Sequence, residues 1–141
     1  EGGLLCRELL EAAGHPVSGY TIVRDDPQVV AARVRSVAEE GSADVLISTG
    51  GTGISRRDNT YEALSGLLSK RLDGFGELFR MLSYQEIGPA AMLSRALGGL
   101  VITERGSLTV LALPGSPKAV RLGLEKLILP ELGHLAFESR R

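Results

Sequence analysis

Apolar positions along the chain fall into short blocks that switch between two spacings. From Leu4 to Ala13, the side chains Leu5, Leu9 and Leu10 share one helical face, and Gly14 stops the pattern. Ser18 to Val23 has the composition of a strand. From Pro27 to Glu40, Val30, Val34 and Val37 recur four and three apart, which predicts a second helix. "ADVLIS", Ala43 to Ser48, reads as a continuous apolar run, the mark of a strand buried on both faces. Tyr61 to Ser69 returns to helical spacing through Leu64, Leu67 and Leu68. "GLVIT" and "SLTVLAL" flank Glu104-Arg105-Gly106 and predict two strands joined by a tight turn. Pro117 to Leu129 predicts a last helix, carried by Val120, Leu124, Leu127 and Ile128 and ended by Pro130. Helices alternating with apolar strands predict an α/β domain on a mostly parallel sheet, with the hairpin adding an antiparallel strand at an edge. "DGFGELFRML" reads as a glycine-rich connection ahead of that hairpin.

Composition narrows the picture. The 141 residues suit one domain with a real core, and a net charge of −1 gives no broad basic footprint for nucleic acid. Any bound anion must be held by a local site. Cys6 is the single cysteine and lies in an apolar helical pattern, so it reads as a core thiol in a reducing, cytoplasmic compartment. His15 and His134 stand apart from any zinc-like spacing, and no apolar run is long enough to cross a bilayer. The chain opens on "EGG", without a signal peptide, and reads as the continuation of something that begins earlier.

The densest chemistry lies in "LISTGGTGISRRDNT", Leu46 to Thr60. Here a strand runs into Gly50, Gly51, Thr52 and Gly53, the place where ligands sit in open α/β sheets. Glycines allow positive φ and close approach of an anion to backbone amides. Thr52 offers a hydroxyl, and Arg56 and Arg57 add positive charge. The plainer reading is a tight strand-to-helix connection with solvated arginines. Asp58 reads as spare for chemistry, because Asn59 can cap the next helix with Glu62 as its capping-box partner. In Asp25-Asp26, Asp26 precedes Pro27 and reads as a cap, which leaves Asp25 as the functional candidate. A second loop, "LPGSPKAV", carries Gly115, a capping Ser116 and Lys118 at a helix start. Ordinary capping explains that loop equally well by itself. Together, the two loops predict a crevice for a ligand with more than one phosphate.

"TGGTGISRRDNTYEA", "GFGELFRMLSYQEIG", "SRALGG" and "ALPGSPKA", in this order, resemble the MoaB/Mog family of molybdenum cofactor biosynthesis, with the middle segment most like its B branch. The resemblance implies a three-layer α/β/α molybdopterin-binding fold over residues 1–141, assembled as homotrimers or homohexamers. It implies molybdopterin as a partner and, in adenylyltransferase members, transfer of AMP from ATP to its terminal phosphate with Mg2+. Carried over by motif, Gly50, Gly51, Thr52 and Gly53 form the phosphate loop, and Asp25 and Asp58 are the catalytic and metal-holding acids. Gly115, Ser116 and Lys118 fall on the nucleotide side, and Ser94 and Arg57 on the pterin side. Two departures stand out. Tyr61 replaces the proline of the family's Asp-x-Thr-Pro-Glu, and Gly2-Gly3 aligns with a Ser-Gly that follows an opening strand, so the domain is expected to lack its first strand. Three functions remain open: adenylyl transfer, binding or carriage of molybdopterin without catalysis, and a structural subunit with a vestigial site.

"GFGELFRML" also concentrates Phe75, Leu78, Phe79, Met81 and Leu82. These side chains either cover the sheet edge within one subunit or anchor a subunit interface, and the family's oligomers favour the interface.

Overall fold

The structure, a computed structural model, describes residues 2–141. Its elements are α1 (Gly2–Ala12), α2 (Pro27–Glu40), β1 (Val45–Thr49), α3 (Thr60–Ser65), β2 (Lys70–Arg71), α4 (Asp73–Ile87), a 3-10 helix (Gly88–Leu93), β3 (Leu97–Thr103), β4 (Gly106–Leu113), α5 (Pro117–Gly123), a π turn (Leu124–Ile128) and α6 (Leu129–Ser139). The sheet order is β1-β4-β3-β2. β1 runs parallel to β4, and β3 runs antiparallel to both its neighbours, so it alone opposes the common direction.

Alternation along β4 divides the core into two layers, as period-two strands require. Leu111 and Leu113 face a layer built from Cys6, Phe75, Phe79, Val120, Leu124, Ile128 and Leu132. Leu108, Val110 and Ala112 face the other layer, with Val34, Ala38 and Leu64 of α2 and α3. The result is the three-layer α/β/α arrangement that the family resemblance implies. Burial pushes the Cys6 thiol up to about 11, which suits a packing thiol.

Six local expectations change. Residues 18–23 form neither helix nor strand and join no sheet among the described residues, and Ile22 is 84% exposed. An extended segment becomes a strand only where a neighbour takes its hydrogen bonds, and none runs beside this one. β1 is half-buried throughout rather than buried on both faces, because it lies at the sheet margin with β4 as its one partner. The helix from Thr60 ends at Ser65, where Gly66 follows; Leu67 closes a turn on Leu64, and Ser69 then donates to Leu100 in the sheet.

The glycine-rich "DGFGELFRML" is the first part of a full helix, α4, not a connection. Gly76 answers to packing: a Cβ on it would lie 2.6 Å from the Ala96 carbonyl oxygen. The interface reading of Phe75 and Phe79 is corrected with it. Phe79 is 1% exposed and packs in the layer beneath β4 together with Phe75, while Leu78 and Met81 point outward on the same helix. Finally, Pro130 does not end the last helix. The π turn before it shifts the hydrogen-bond ladder, so a residue without an N–H fits in the first turn of α6.

Candidate functional site

β1 and β4 are parallel neighbours, so the loops that leave their carboxyl ends share one edge of the sheet. β3 runs the other way and begins at that same edge, where Leu97 pairs with Ala112. Segment 94–96 therefore arrives beside both loops.

The loop after β1 turns on Gly50 and Gly51, at φ 101° and 73°. Their left-handed conformations are the ones that glycine adopts without strain. The Gly50 amide donates to Leu113 of β4 (2.8 Å), and the Thr60 amide donates to Gly51 (3.0 Å). A Cβ on Gly51 would overlap the Thr60 hydroxyl. Thr52 is 2% exposed, so its side chain is part of the loop's packing. Past Gly53 the chain folds back on Asp58. One oxygen of that carboxylate, Oδ2, accepts from the Ser55 amide (2.9 Å) and the Ser55 hydroxyl (2.8 Å). A Cβ on Gly53 would lie 2.7 Å from the same oxygen. The Ser55 hydroxyl, then the Ser55 amide, hold the Asp58 carboxyl below the usual carboxylate range, helped by the Gly53 amide and Arg95 and opposed by burial. Asp58 is therefore ionised at neutral pH.

The loop after β4 is simpler. The Ser116 hydroxyl caps α5 by accepting from the Ala119 amide (3.2 Å), with Pro117 in the first turn. Gly115 lies against the first loop: a Cβ there would be 3.3 Å from the Gly50 Cα. Lys118 and Arg57 are exposed at these loops, and the Arg57 amide donates to the Ser55 hydroxyl.

Other predicted positions are less closely gathered. Asp26 caps α2 by accepting from the Gln28 amide (2.8 Å), as its place before Pro27 predicts. Asp25 is exposed just ahead of it. Among the described residues, no three His, Cys, Asp or Glu side chains form a group that could hold a metal ion. A magnesium ion commonly takes one or two carboxylates and completes its shell with substrate phosphates and water. The ionised Asp58 and the exposed Asp25 fit such a donor set in kind. Ser94 is half-buried before β3; its hydroxyl accepts from the Ala96 amide (3.4 Å) and its carbonyl from Arg80 (3.3 Å).

The capping box is absent. Asn59 makes no side-chain cap; its amide instead donates to the Arg56 and Arg57 carbonyls. Glu62 pairs with Arg95, at 2.5 and 3.3 Å, because a charge-assisted fork outweighs a single bond to a neutral amide. That pairing holds the Glu62 carboxyl below its usual range. Arg95 is the residue the sequence reading passed over. It also donates to the carbonyls of Gly53 (2.9 Å) and Asp58 (2.9 Å), and its guanidinium lies 5.0 Å from the Tyr61 ring centre. The signal was its place beside Ser94 in "SRALGG", an arginine at the edge where the strands deliver their loops. A shallow apolar cleft of about 440 Å³ lies elsewhere, against α4 and the 3-10 helix, lined by Met81, Tyr84, Pro89 and Met92 among others. It contains no residue of either loop.

Comparison with known proteins agrees with this architecture. A family described as "Probable molybdopterin binding domain" matches residues 2–134. Molybdenum cofactor biosynthesis protein B of Bacillus cereus is 51% identical over 142 aligned residues, which span 100% of this chain and 82% of that protein. A crystal structure of a molybdenum cofactor biosynthesis protein B superposes with a TM-score of 0.91 at 51% identity, over 98% of this chain and 84% of the other. The tungsten cofactor synthesizing protein MoaB from Pyrococcus furiosus gives 0.88 at 40% identity, over 100% of this chain and 86% of the other. The Mog protein from Mycobacterium ulcerans gives 0.85 at 29% identity, over 98% and 86%. With its strands, its two glycine-bearing loops and these relatives in agreement, the chain belongs to the MoaB/Mog family of molybdenum cofactor biosynthesis proteins.

Proposed function

We propose that the chain takes molybdopterin and Mg-ATP into the crevice between the two loops and transfers AMP to the pterin's terminal phosphate. A phosphate oxygen of molybdopterin bonds to the α-phosphorus of ATP, the bond from that phosphorus to the oxygen bridging to the β-phosphate breaks, and pyrophosphate leaves. The observation that most supports this reading is the ionised Asp58, held by its own loop beside glycine turns at the ends of adjoining parallel strands. Such chemistry needs positioning and charge neutralisation more than a strong base. Amides of Gly51 to Gly53 receive phosphate, Gly115, Ser116 and Lys118 the nucleotide, and Ser94 and Arg57 the pterin. Asp58 and Asp25 would hold magnesium, which when bound neutralises charge on the triphosphate. Measuring pyrophosphate release from Mg-ATP, with and without molybdopterin, tests the proposal; no release above the ATP-only blank contradicts it.

A second reading, binding or carriage without adenylylation, is favoured by one observation. The Asp58 carboxylate already closes its loop through Ser55, which gives it a structural use without catalysis. Molybdopterin binding without pyrophosphate release selects this reading.

The chain's own copies complete the picture. The outward face of α4 and the following 3-10 helix expose Leu78, Met81, Tyr84 and Met92, an apolar surface suited to a homotrimer or homohexamer contact. Met81→Asp should lower the mass found by size-exclusion chromatography with light scattering while the circular dichroism spectrum stays α/β. An unchanged mass rejects this face as the contact. Phe79→Asp, by contrast, should unfold the chain, because Phe79 is core.

A further inference from the structure

We infer that Arg95 is a positioning residue that fixes the phosphate loop in its anion-receiving shape, with Glu62 and Tyr61 holding the guanidinium in place. The inference rests on the proposed use of that loop. Arg95 reaches it from the start of β3, across 42 and 37 residues of sequence to Gly53 and Asp58. Its backbone amide donates to the Thr52 carbonyl (2.7 Å), its Nε to the Gly53 carbonyl and its Nη2 to the Asp58 carbonyl. The contacts therefore bracket the segment 52–58 at both ends.

These bonds decide which way the amides face. A planar trans peptide points its N–H opposite to its C=O. Because the Thr52 and Gly53 carbonyls turn toward Arg95, the Gly53 and Ile54 amides turn away from it. Gly53 itself lies against the Asp58 carboxylate, where a Cβ on it would be 2.7 Å from Oδ2. An arginine is the side chain with enough fixed donors for this arrangement. One edge of its fork serves two carbonyls, and the other donors meet Glu62. The Tyr61 ring beneath the guanidinium adds a cation–π contact, and the Tyr61 hydroxyl accepts from Arg71 (3.4 Å). The segment carrying Arg95 is itself pinned from the far side, where Arg80 of α4 donates to the carbonyls of Ser94 and Ala96.

Hydrogen exchange read by mass spectrometry on the full chain, with calorimetric titration of inorganic pyrophosphate and of Mg-ATP, tests the inference on wild type, Arg95→Lys and the milder Glu62→Gln. Lysine keeps the charge but cannot serve the two carbonyls and Glu62 together. Arg95→Lys should speed exchange in peptides covering 50–58 by at least about tenfold, with core peptides of β3 and β4 unchanged, and should weaken both probes by about tenfold or more. Glu62→Gln should move both readouts the same way by less. Unchanged exchange over 50–58 in both variants overturns the clamp whatever the probes do. Faster exchange with unchanged probe affinity overturns its positioning role. A wild-type chain that binds neither probe overturns the proposed function instead, and the exchange arm still decides whether the clamp exists.

Discussion

The loops after β1 and β4 leave neighbouring parallel strands at one edge of the sheet, yet they are held by different means. The β4 loop is stabilised locally: Ser116 caps the helix that it begins, and Pro117 fits the first turn. The β1 loop depends on distant groups. Its shape rests on Leu113 of β4 and on Arg95 before β3, together with a carboxylate folded back on Ser55. The first kind of loop is a helix start that happens to offer amides. The second has its charged group, its amides and its glycines fixed together, the arrangement expected where electrostatic preorganisation matters. On the proposed function, this difference assigns the demanding chemistry to the β1 loop and a supporting role to the β4 loop.

Substitutions that break this asymmetry rank by expected effect. Asp58→Asn keeps an oxygen that can accept from Ser55, so the fold should persist, while adenylylation falls by about 100-fold or more, the scale of losing one preorganised electrostatic contributor. A steady-state assay beside a circular dichroism melt checks both halves, and full activity in the variant removes Asp58 from the chemistry. Gly51→Ala puts a side chain at φ 73° and against Thr60. It should cost about 1–3 kcal/mol of stability. Gly115→Ala meets only the Gly50 backbone at 3.3 Å and should cost less. Equal losses in paired denaturant titrations erase the contrast between the loops. Ser116→Ala should remove about 1 kcal/mol of stability through the lost cap.

The smallest effect is on pH dependence. Asp58 and Glu62 both have carboxyl pKa values lowered by folding below the ordinary carboxylate range. Their contribution is fully present above the unfolded values and is lost as pH falls toward the lowered folded ones. Because both carboxylates are largely solvated, the effect is modest. Thermal midpoints measured downward from pH 5 should fall less steeply in Arg95→Lys than in wild type, since Arg95 supplies the largest lowering influence on Glu62. Parallel curves contradict that linkage.

Helices α1, α2, α3 and α5 and strands β1, β3 and β4 were legible in the sequence because each carries its own period, and the caps at Asp26 and Ser116 were legible because the capping residue and the following proline are adjacent. The glycines of the β1 loop were legible as a demand for bare backbone, and the structure supplies the reasons in positive φ and in the closeness of Thr60 and Asp58. Helix α4 was hidden because Gly74 and Gly76 weaken its local signal, while the reason for Gly76, contact with Ala96, lies far along the chain. β2 was hidden because two exposed residues have no pattern to show. Arg95 was hidden for a related reason: its partners are three separate backbone carbonyls and Glu62, and backbone partners leave no residue-type signature.

The proposed function depends on whether the β1 loop supports group transfer. Incubating the chain with molybdopterin, ATP and magnesium, and following pyrophosphate together with adenylylated molybdopterin by mass spectrometry, reads both products of the one step. Equal amounts of the two, nearly abolished by Asp58→Asn, is the predicted result. Molybdopterin that binds yet remains unmodified while ATP stays intact would contradict the claim and leave the chain a binding member of its family.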